Sequence, residues 1–351
     1  MKVLAFYLPQ YHEIPENNEW WGNGFTEWVN VKKAKPLFKD HYQPKIPLNN
    51  NYYTLDNIET IYYQTNLAKK YGIDGFCFYH YWFNGKLLLQ KPLEMYLQNK
   101  DIDFSYCFSW ANEPWTRSWD GKNKSILINQ TYAGEGDILN HWNYLLPYFK
   151  DVRYIKIDNK PVFFIYRCNT IDYLERMIKI WNKMAEKEGF SGIYFIETLT
   201  GFQKKKYSND TQATVYMEPM YVIGKRSKFT KLLTAWRAIT KLNRRENYSC
   251  IWNRVLNMEK LNSTSNAGAF VDWDNSARKK TKNLVLIKGS PKIFAEKFKK
   301  QYEKALNSNC NFLLINAWNE WAEGTYLEPD SKNGYSYLEG VKNAVINCQK
   351  K

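Results

Sequence analysis

What most constrains this chain is a recurrence: eight short, nearly unbroken apolar runs separated by stretches with helical spacing. The runs are Lys2–Leu8, Ile73–Tyr79, Phe104–Ser109, Pro161–Tyr166, Ile193–Ile196, Thr214–Met217, Ala269–Val271 and Phe312–Ile315. A strand with one wet face alternates apolar and polar residues. These runs do not, so both faces are expected to be covered, as in a parallel sheet flanked by helices. The helical stretches carry their own punctuation. Asp56 with Glu59 reads as a capping box for a helix that runs to Tyr71 and stops at Gly72. Others are expected near Pro92–Gln98, over Asp137–Phe149, from Thr170 to Glu188, from Ser290-Pro291 to about Leu306, and over Tyr337–Asn347. Eight such units in 351 residues predict an α/β fold, a single (β/α)8 TIM barrel over residues 1–351 with long βα loops. A doubly wound open sheet is the competing topology.

The residues just after the runs favour the barrel. Tyr11 and His12 follow the first, and His80, Tyr81 and Trp82 the second. Trp110, Asn112, Glu113 and Trp115 follow the third, and Arg167 the fourth. Glu197 closes the fifth, Glu218 follows the sixth, and Asp272, Trp273 and Asp274 follow the seventh. Asn316, Trp318, Asn319 and Glu320 complete the set. A closed barrel gathers all these ends on one face, where its sites lie. Two segments are longer than ordinary connections. Residues 9–53 carry Trp20, Trp21, Phe25, Glu27 and Trp28, too aromatic for a solvated linker, and are expected to fold over the barrel mouth. Residues 221–267 read as a basic helical insertion. Within it, Phe229, Leu232, Leu233, Trp236 and Ile239 recur at helical spacing among Lys and Arg over residues 225–245. Such a helix either lies on an anionic membrane or packs its stripe on the sheet.

Charge and cysteine usage narrow the partners. A net charge of +15 favours an anionic partner, yet no phosphate loop, zinc finger or RNA-binding signature accompanies it, so nucleic acid is not expected. Six widely spaced cysteines fit neither a disulfide framework nor a zinc site and read as reduced, mostly buried thiols. The opening apolar stretch is too short for a secretory signal, and no window is long enough for a membrane span. The expected setting is cytoplasmic, with peripheral contact at the inner face of the membrane through the 225–245 helix. No cofactor and no metal are expected; Asp272-Trp273-Asp274 fits an Asp-x-Asp pattern that three residues meet often by chance.

The chemistry is written most plainly after the eighth run, in Trp318-Asn319-Glu320-Trp321-Ala322-Glu323-Gly324. If the chain turns helically there, Glu320 and Glu323 come to one face with Cβ atoms about 5–6 Å apart. That suits the close carboxyl pair of retaining glycosidases, and mutual repulsion among indoles should keep one acid protonated while the other ionises. Aromatic content of 17%, with 14 Trp and 27 Tyr, supplies flat faces for sugar rings. Asn112-Glu113-Pro114 is a rival: Glu113 could be the acid, bind a hydroxyl, or pair with Arg117. His12, His80 and one of Asp272 and Asp274 are further candidates for lining the pocket.

Five ordered motifs resemble the WbsX-type proteins of O-antigen and capsule clusters. They are Trp20-Trp21-Gly22-Asn23-Gly24-Phe25-Thr26-Glu27-Trp28, Tyr71-Gly72-Ile73-Asp74-Gly75-Phe76, Ala111-Asn112-Glu113-Pro114-Trp115, Val271-Asp272-Trp273-Asp274-Asn275 and Ala317-Trp318-Asn319-Glu320-Trp321-Ala322-Glu323-Gly324-Thr325. That group in turn resembles glycoside hydrolase family 99, the endo-α-mannosidases. The resemblance implies a (β/α)8 fold and metal-free retaining chemistry on an α-linked oligosaccharide or polysaccharide, with lipid-linked chains included. It implies that Glu320 deprotonates the sugar 2-hydroxyl and Glu323 protonates the leaving group, with Glu113 in support. Tyr11, His12, Trp28, His80, Tyr81, Trp82, Trp110, Asn112, Trp115, Arg167, Glu218, Trp273, Asp274 and Asn319 are then expected to hold substrate. The mannosidases commonly carry His where this chain has Ala322, which leaves the sugar open. A nucleotide-sugar glycosyltransferase and a non-catalytic glycan-binding barrel are the alternatives.

Overall fold

The computed structural model describes residues 1–116, 125–225, 243–279 and 283–349. Eight parallel strands form a ring: β1 (Lys2–Tyr7), β2 (Gly75–Phe83), β3 (Ser105–Trp110), β4 (Lys160–Ile165), β5 (Tyr194–Leu199), β6 (Ala213–Tyr216), β7 (Ser265–Phe270) and β8 (Phe312–Asn316). Each pairs with its sequence neighbours, and β1 closes the ring by pairing with both β2 (Ala5↔Phe76) and β8 (Leu4↔Leu314). Closure removes the exposed edges an open sheet would carry, and the architecture is a single (β/α)8 barrel. β2 and β5 are buried at every position, as their unbroken apolar character demands.

Helices Ile58–Lys70, Lys91–Gln98, Glu135–Lys150, Leu174–Lys187, Tyr248–Met258, Pro291–Asn307 and Ser336–Gln349 clothe the ring. Ser290 caps its helix as expected, accepting from the Ile293 amide. The first helix begins differently. Asn57, not Asp56, takes the cap by accepting the Glu59 amide at 3.0 Å, while Asp56 is engaged by the Thr54 hydroxyl. β7 starts four residues before the expected Ala269, because Ser265, Asn266 and Gly268 hide its first half from an apolar count. They are there for contact: Asn266 bridges Thr214 O of β6 and the Phe312 amide of β8, and a Cβ on Gly268 would lie 2.0 Å from Tyr216 O.

No helix forms between β5 and β6. The buried Glu197 replaces it as an anchor, accepting from Gln203 Nε2, the Tyr207 and Ser208 amides and the Thr211 hydroxyl at 2.5–2.9 Å. None of the six cysteines is in a disulfide, and four of them are buried. Among the described residues no helix is long and apolar enough to cross a membrane. Residues 226–242, most of the expected basic helix, and Arg117 lie outside the described residues.

Candidate active site

Beyond β8, the turn carrying both acids is fastened from two sides. Asn319 brackets the end of β1, accepting from the Leu8 amide at 2.7 Å and donating to its carbonyl at 3.0 Å. Asn319 and Glu320 then pair with Thr325 and Tyr326, and between them Trp321–Glu323 form a single tight 3₁₀ turn. Gly324 ends the turn at φ 66°, where an added Cβ would sit 2.8 Å from Asp274 Cβ. The Asp274 amide completes the clamp by donating to Glu323 O at 2.7 Å.

The turn delivers both acids to one guanidinium. Arg278 Nη2 lies 3.1 Å from Glu320 Oε2 and Nη1 lies 2.5 Å from Glu323 Oε1. Its Nε donates to Glu27 Oε1 at 2.8 Å, so one cation from the loop after β7 is shared by three carboxyls, one from the loop after β1 and two from the turn after β8. Arg278 and Glu27 are almost wholly buried. Burial disfavours the charge on Arg278, but Glu27, Glu323 and Glu320 outweigh it and hold the group firmly protonated. Burial also pushes the Glu320 carboxyl up to about 8; Arg278 opposes that rise, and Glu323 and Glu27 add to it. Glu323 has the more open side chain, 25% exposed against 8% for Glu320.

Strand geometry sorts the residues expected around this pair. β2 continues to Phe83, so His80, Tyr81 and Trp82 are strand residues rather than loop residues, and alternate ones face opposite ways. Tyr79 and Tyr81 stand in the field of Glu320 and Glu323. His80 and Trp82 face the helix layer instead, which corrects their expected place at the mouth. His80 Nε2 sits 2.8 Å from His141 Nε2, and Trp82 donates to Asp137 at 2.8 Å while stacking on His141 at 4.6 Å. Burial lowers His80 to about 3, so it is neutral. Trp110 joins this outer group, donating to Trp82 O and meeting His141 edge-on.

Several other expected contacts prove to be brackets. Asn112 donates to Arg167 O and Tyr132 Oη at 2.9 Å and accepts the Arg167 amide, tying the loops after β3 and β4 together. Tyr11 donates to Asn319 O, and Trp28 donates to Tyr53 O while packing on Trp321 at 5.4 Å. Asp274 accepts from Gln43 Nε2 at 2.6 Å, and its carboxylate also meets His41 at 2.9 Å. Burial would raise Asp274, but His41 and Lys45 hold it low. Trp273 is buried beside it, with its carbonyl taken by the Leu286 amide. Burial pushes neighbouring Asp272 up to about 6. Trp115 packs on Trp20 and Tyr81. His12 is buried and lowered to about 4.

Glu218 leaves the mouth altogether. Its carboxyl accepts the Val222 amide at 3.1 Å and, raised to about 8 by burial, neighbours Glu259, which Gln301 of the Pro291–Asn307 helix engages. Glu113 accepts from Arg167 Nη1 at 2.9 Å, and that guanidinium also lies over Phe202. Burial raises Glu113 and Arg167 offsets part of that rise. Tyr166 feels Glu113, Glu323 and Glu320 and links this ion pair to the central cluster.

Arg278, Glu27, Tyr79 and Tyr166 were not singled out by sequence. Glu27 stood within a recognised motif, and Tyr79 within a run read as core; nothing distinguishes Arg278 among 50 Lys and Arg. Among the described residues no group of three or more His, Cys, Asp or Glu is placed to hold a metal ion.

The profile of the glycosyltransferase WbsX family matches residues 3–341. The chain belongs to the WbsX family. This WbsX chain is also 32% identical over 351 residues to the uncharacterized protein WxcX of Xanthomonas campestris pv. campestris, covering 99% of itself and 50% of that protein. It therefore spans about half the length of the curated relative. Among solved structures, the GH99 endo-α-mannosidase of Bacteroides thetaiotaomicron superposes with a TM-score of 0.57 at 14% identity, covering 99% of this chain and 97% of that one. A glycoside hydrolase-like protein superposes with a TM-score of 0.61 at 14% identity, covering 98% and 93%. At such identity these likenesses speak for the fold of the WbsX barrel and not for its reaction.

Proposed function

We propose that the chain is a retaining glycan-active enzyme that cleaves or transglycosylates an α-linked sugar chain in surface-polysaccharide metabolism, through Glu320 and Glu323. The observation that carries this reading is the single guanidinium of Arg278 held against both carboxyls, with Tyr79, Tyr81 and Tyr166 in the field of the pair. Two acids drawn to the two terminal nitrogens of one group support the close pairing that retention uses.

Glu320, ionised and bonded to Arg278, takes the proton of the sugar 2-hydroxyl. The 2-oxygen attacks C1, the glycosidic bond breaks, and the departing oxygen receives the proton of Glu323. Water, or a second sugar hydroxyl in transglycosylation, then gives its proton to Glu323 and attacks C1; the 2-oxygen leaves C1 and regains its proton from Glu320. A carboxyl raised to about 8 is a stronger base than an ordinary glutamate, which suits the first step. The greater exposure of Glu323 suits contact with the leaving group and incoming water.

The description of the WbsX family as a glycosyltransferase supports a second reading, transfer from a nucleotide sugar. Incubation with the host's own polysaccharide or lipid-linked oligosaccharide, read by mass spectrometry, separates the two. The proposal expects glycan shortening or chain exchange without a nucleotide sugar, abolished by Glu323→Gln. Nucleotide release dependent on an added nucleotide sugar would replace it with the transferase reading. Glycan binding and phenotype unchanged in Glu320→Gln and Glu323→Gln would leave only a binding barrel.

A further inference from the structure

Against the turn that bears Glu320 and Glu323, but outside the Arg278 cluster, a pocket of about 460 Å³ opens between the 47–53 loop, the Ile58–Lys70 helix and the 328–329 segment. Its volume is in the range of small-molecule sites. Both walls are preformed. The Leu48 amide donates to Pro329 O at 3.0 Å, the Ser331 amide to Ile46 O at 2.9 Å, and the Ser331 hydroxyl to Pro47 O at 3.1 Å. Asn49 and Asn50 turn the rim at φ 57° and 55°, a left-handed conformation that asparagine accepts more readily than most residues.

The lining is chemically narrow. Tyr53, Tyr63 and Trp321 supply aromatic surface, Asn49, Asn50 and Asn51 supply a run of amides, and Glu328 supplies a carboxyl. That carboxyl is committed internally: Trp321 Nε1 (2.6 Å) and Tyr53 Oη (2.8 Å) donate to Oε2, and Gln64 Nε2 (2.7 Å) donates to Oε1. Burial raises it to about 7, with Trp321, Tyr53 and Gln64 opposing the rise. Among the described residues no lysine or arginine lines the pocket, although the chain carries a net charge of +15. The pocket is therefore unsuited to phosphate or carboxylate ligands. Amides beside aromatic faces suit a ligand with uncharged hydroxyls and apolar C–H faces.

We propose that this pocket is a second carbohydrate site, which holds one uncharged sugar unit outside the Arg278 cluster. Trp321 is the shared wall, since its indole lines the pocket while its backbone belongs to the turn bearing Glu320 and Glu323. The inference rests on the proposed function for choosing sugar among polyhydroxyl ligands, and its test reads binding rather than turnover.

The test titrates the full chain with methyl α-D-mannopyranoside, methyl α-D-glucopyranoside and methyl α-D-galactopyranoside, with glucuronate as the charged counterpart. Saturation-transfer NMR and calorimetry are the readouts. Tyr63 and Asn51 are both exposed, so the Tyr63→Ala/Asn51→Ala double variant is expected to keep the native circular dichroism. Saturable binding of at least one neutral glycoside at about millimolar affinity is expected, with glucuronate weaker. The double variant should weaken it at least about tenfold, and Glu323→Gln should leave it unchanged. Binding lost in Glu323→Gln and kept in the double variant would overturn the proposal, as would the absence of saturable binding by all three glycosides. Pocket binding that persists without any turnover would instead refute the proposed function alone.

Discussion

Arg278 is a buried cation facing three carboxyls, and its deletion leaves them with mutual repulsion and no counter-charge. Removing one partner of a buried ionic group typically costs about 3–5 kcal/mol. Arg278→Met should therefore lower stability by about that amount in urea unfolding and abolish turnover. Arg278→Lys keeps the charge but cannot bond three carboxyls in one plane, and should recover stability better than activity. The raised carboxyl of Glu320 also predicts a pH response. Turnover that needs Glu320 ionised should climb with pH until about 8, and an acidic limb with its midpoint below pH 6 would contradict that assignment. The linked stability runs the opposite way. Between the ordinary value of 4.5 and about 8 the unfolded chain sheds this proton and the folded one keeps it, so this group's contribution falls as pH rises through that window. Glu320→Gln should remove that slope, measurable as a thermal midpoint that gains on the parent as the buffer is made more alkaline.

The turn bearing Glu320 and Glu323 is an element in its own right, and Gly324 is its hinge pin. Gly324→Ala meets both a positive φ and the Asp274 side chain at 2.8 Å, so it should displace Glu323 and cut turnover by at least about tenfold. Its effect on the melting temperature should be smaller than that of Arg278→Met. The barrel strands were legible because a strand covered on both faces must be apolar throughout, and the sequence shows that directly. β7 was legible only at its end, since close approach to β6 selects Gly268 and strand stitching selects Asn266, neither of which resembles a strand residue. The two acids were legible because motif and spacing coincide. The arginine that joins them was not, for its role depends on loops from three units meeting in space. The strand-end polar residues also divided in a way no one-dimensional count reveals: Asn112, Asn319 and Asp274 spend their hydrogen bonds holding loops together.

At the scale of the molecule, the excess of positive charge sits poorly with a neutral sugar ligand and calls for an anionic neighbour. The 225–245 segment is the sequence candidate for meeting it. Pelleting with anionic liposomes should fall as salt rises, and charge reversal of Lys228, Lys231, Arg237 and Lys241 should abolish it. Unchanged pelleting of the reversed variant would remove the membrane surface as a partner. The bond between Leu8 and Asn319 spans 311 positions of the polypeptide. Neither acid can be set in place until the last strand has docked beside the first, so during synthesis on the ribosome the growing polypeptide passes through no half-active stage. On the proposed function, competence arrives in one step with the sealing of the ring, and proteolytic loss of the eighth unit should yield an inert protein instead of a weakened one.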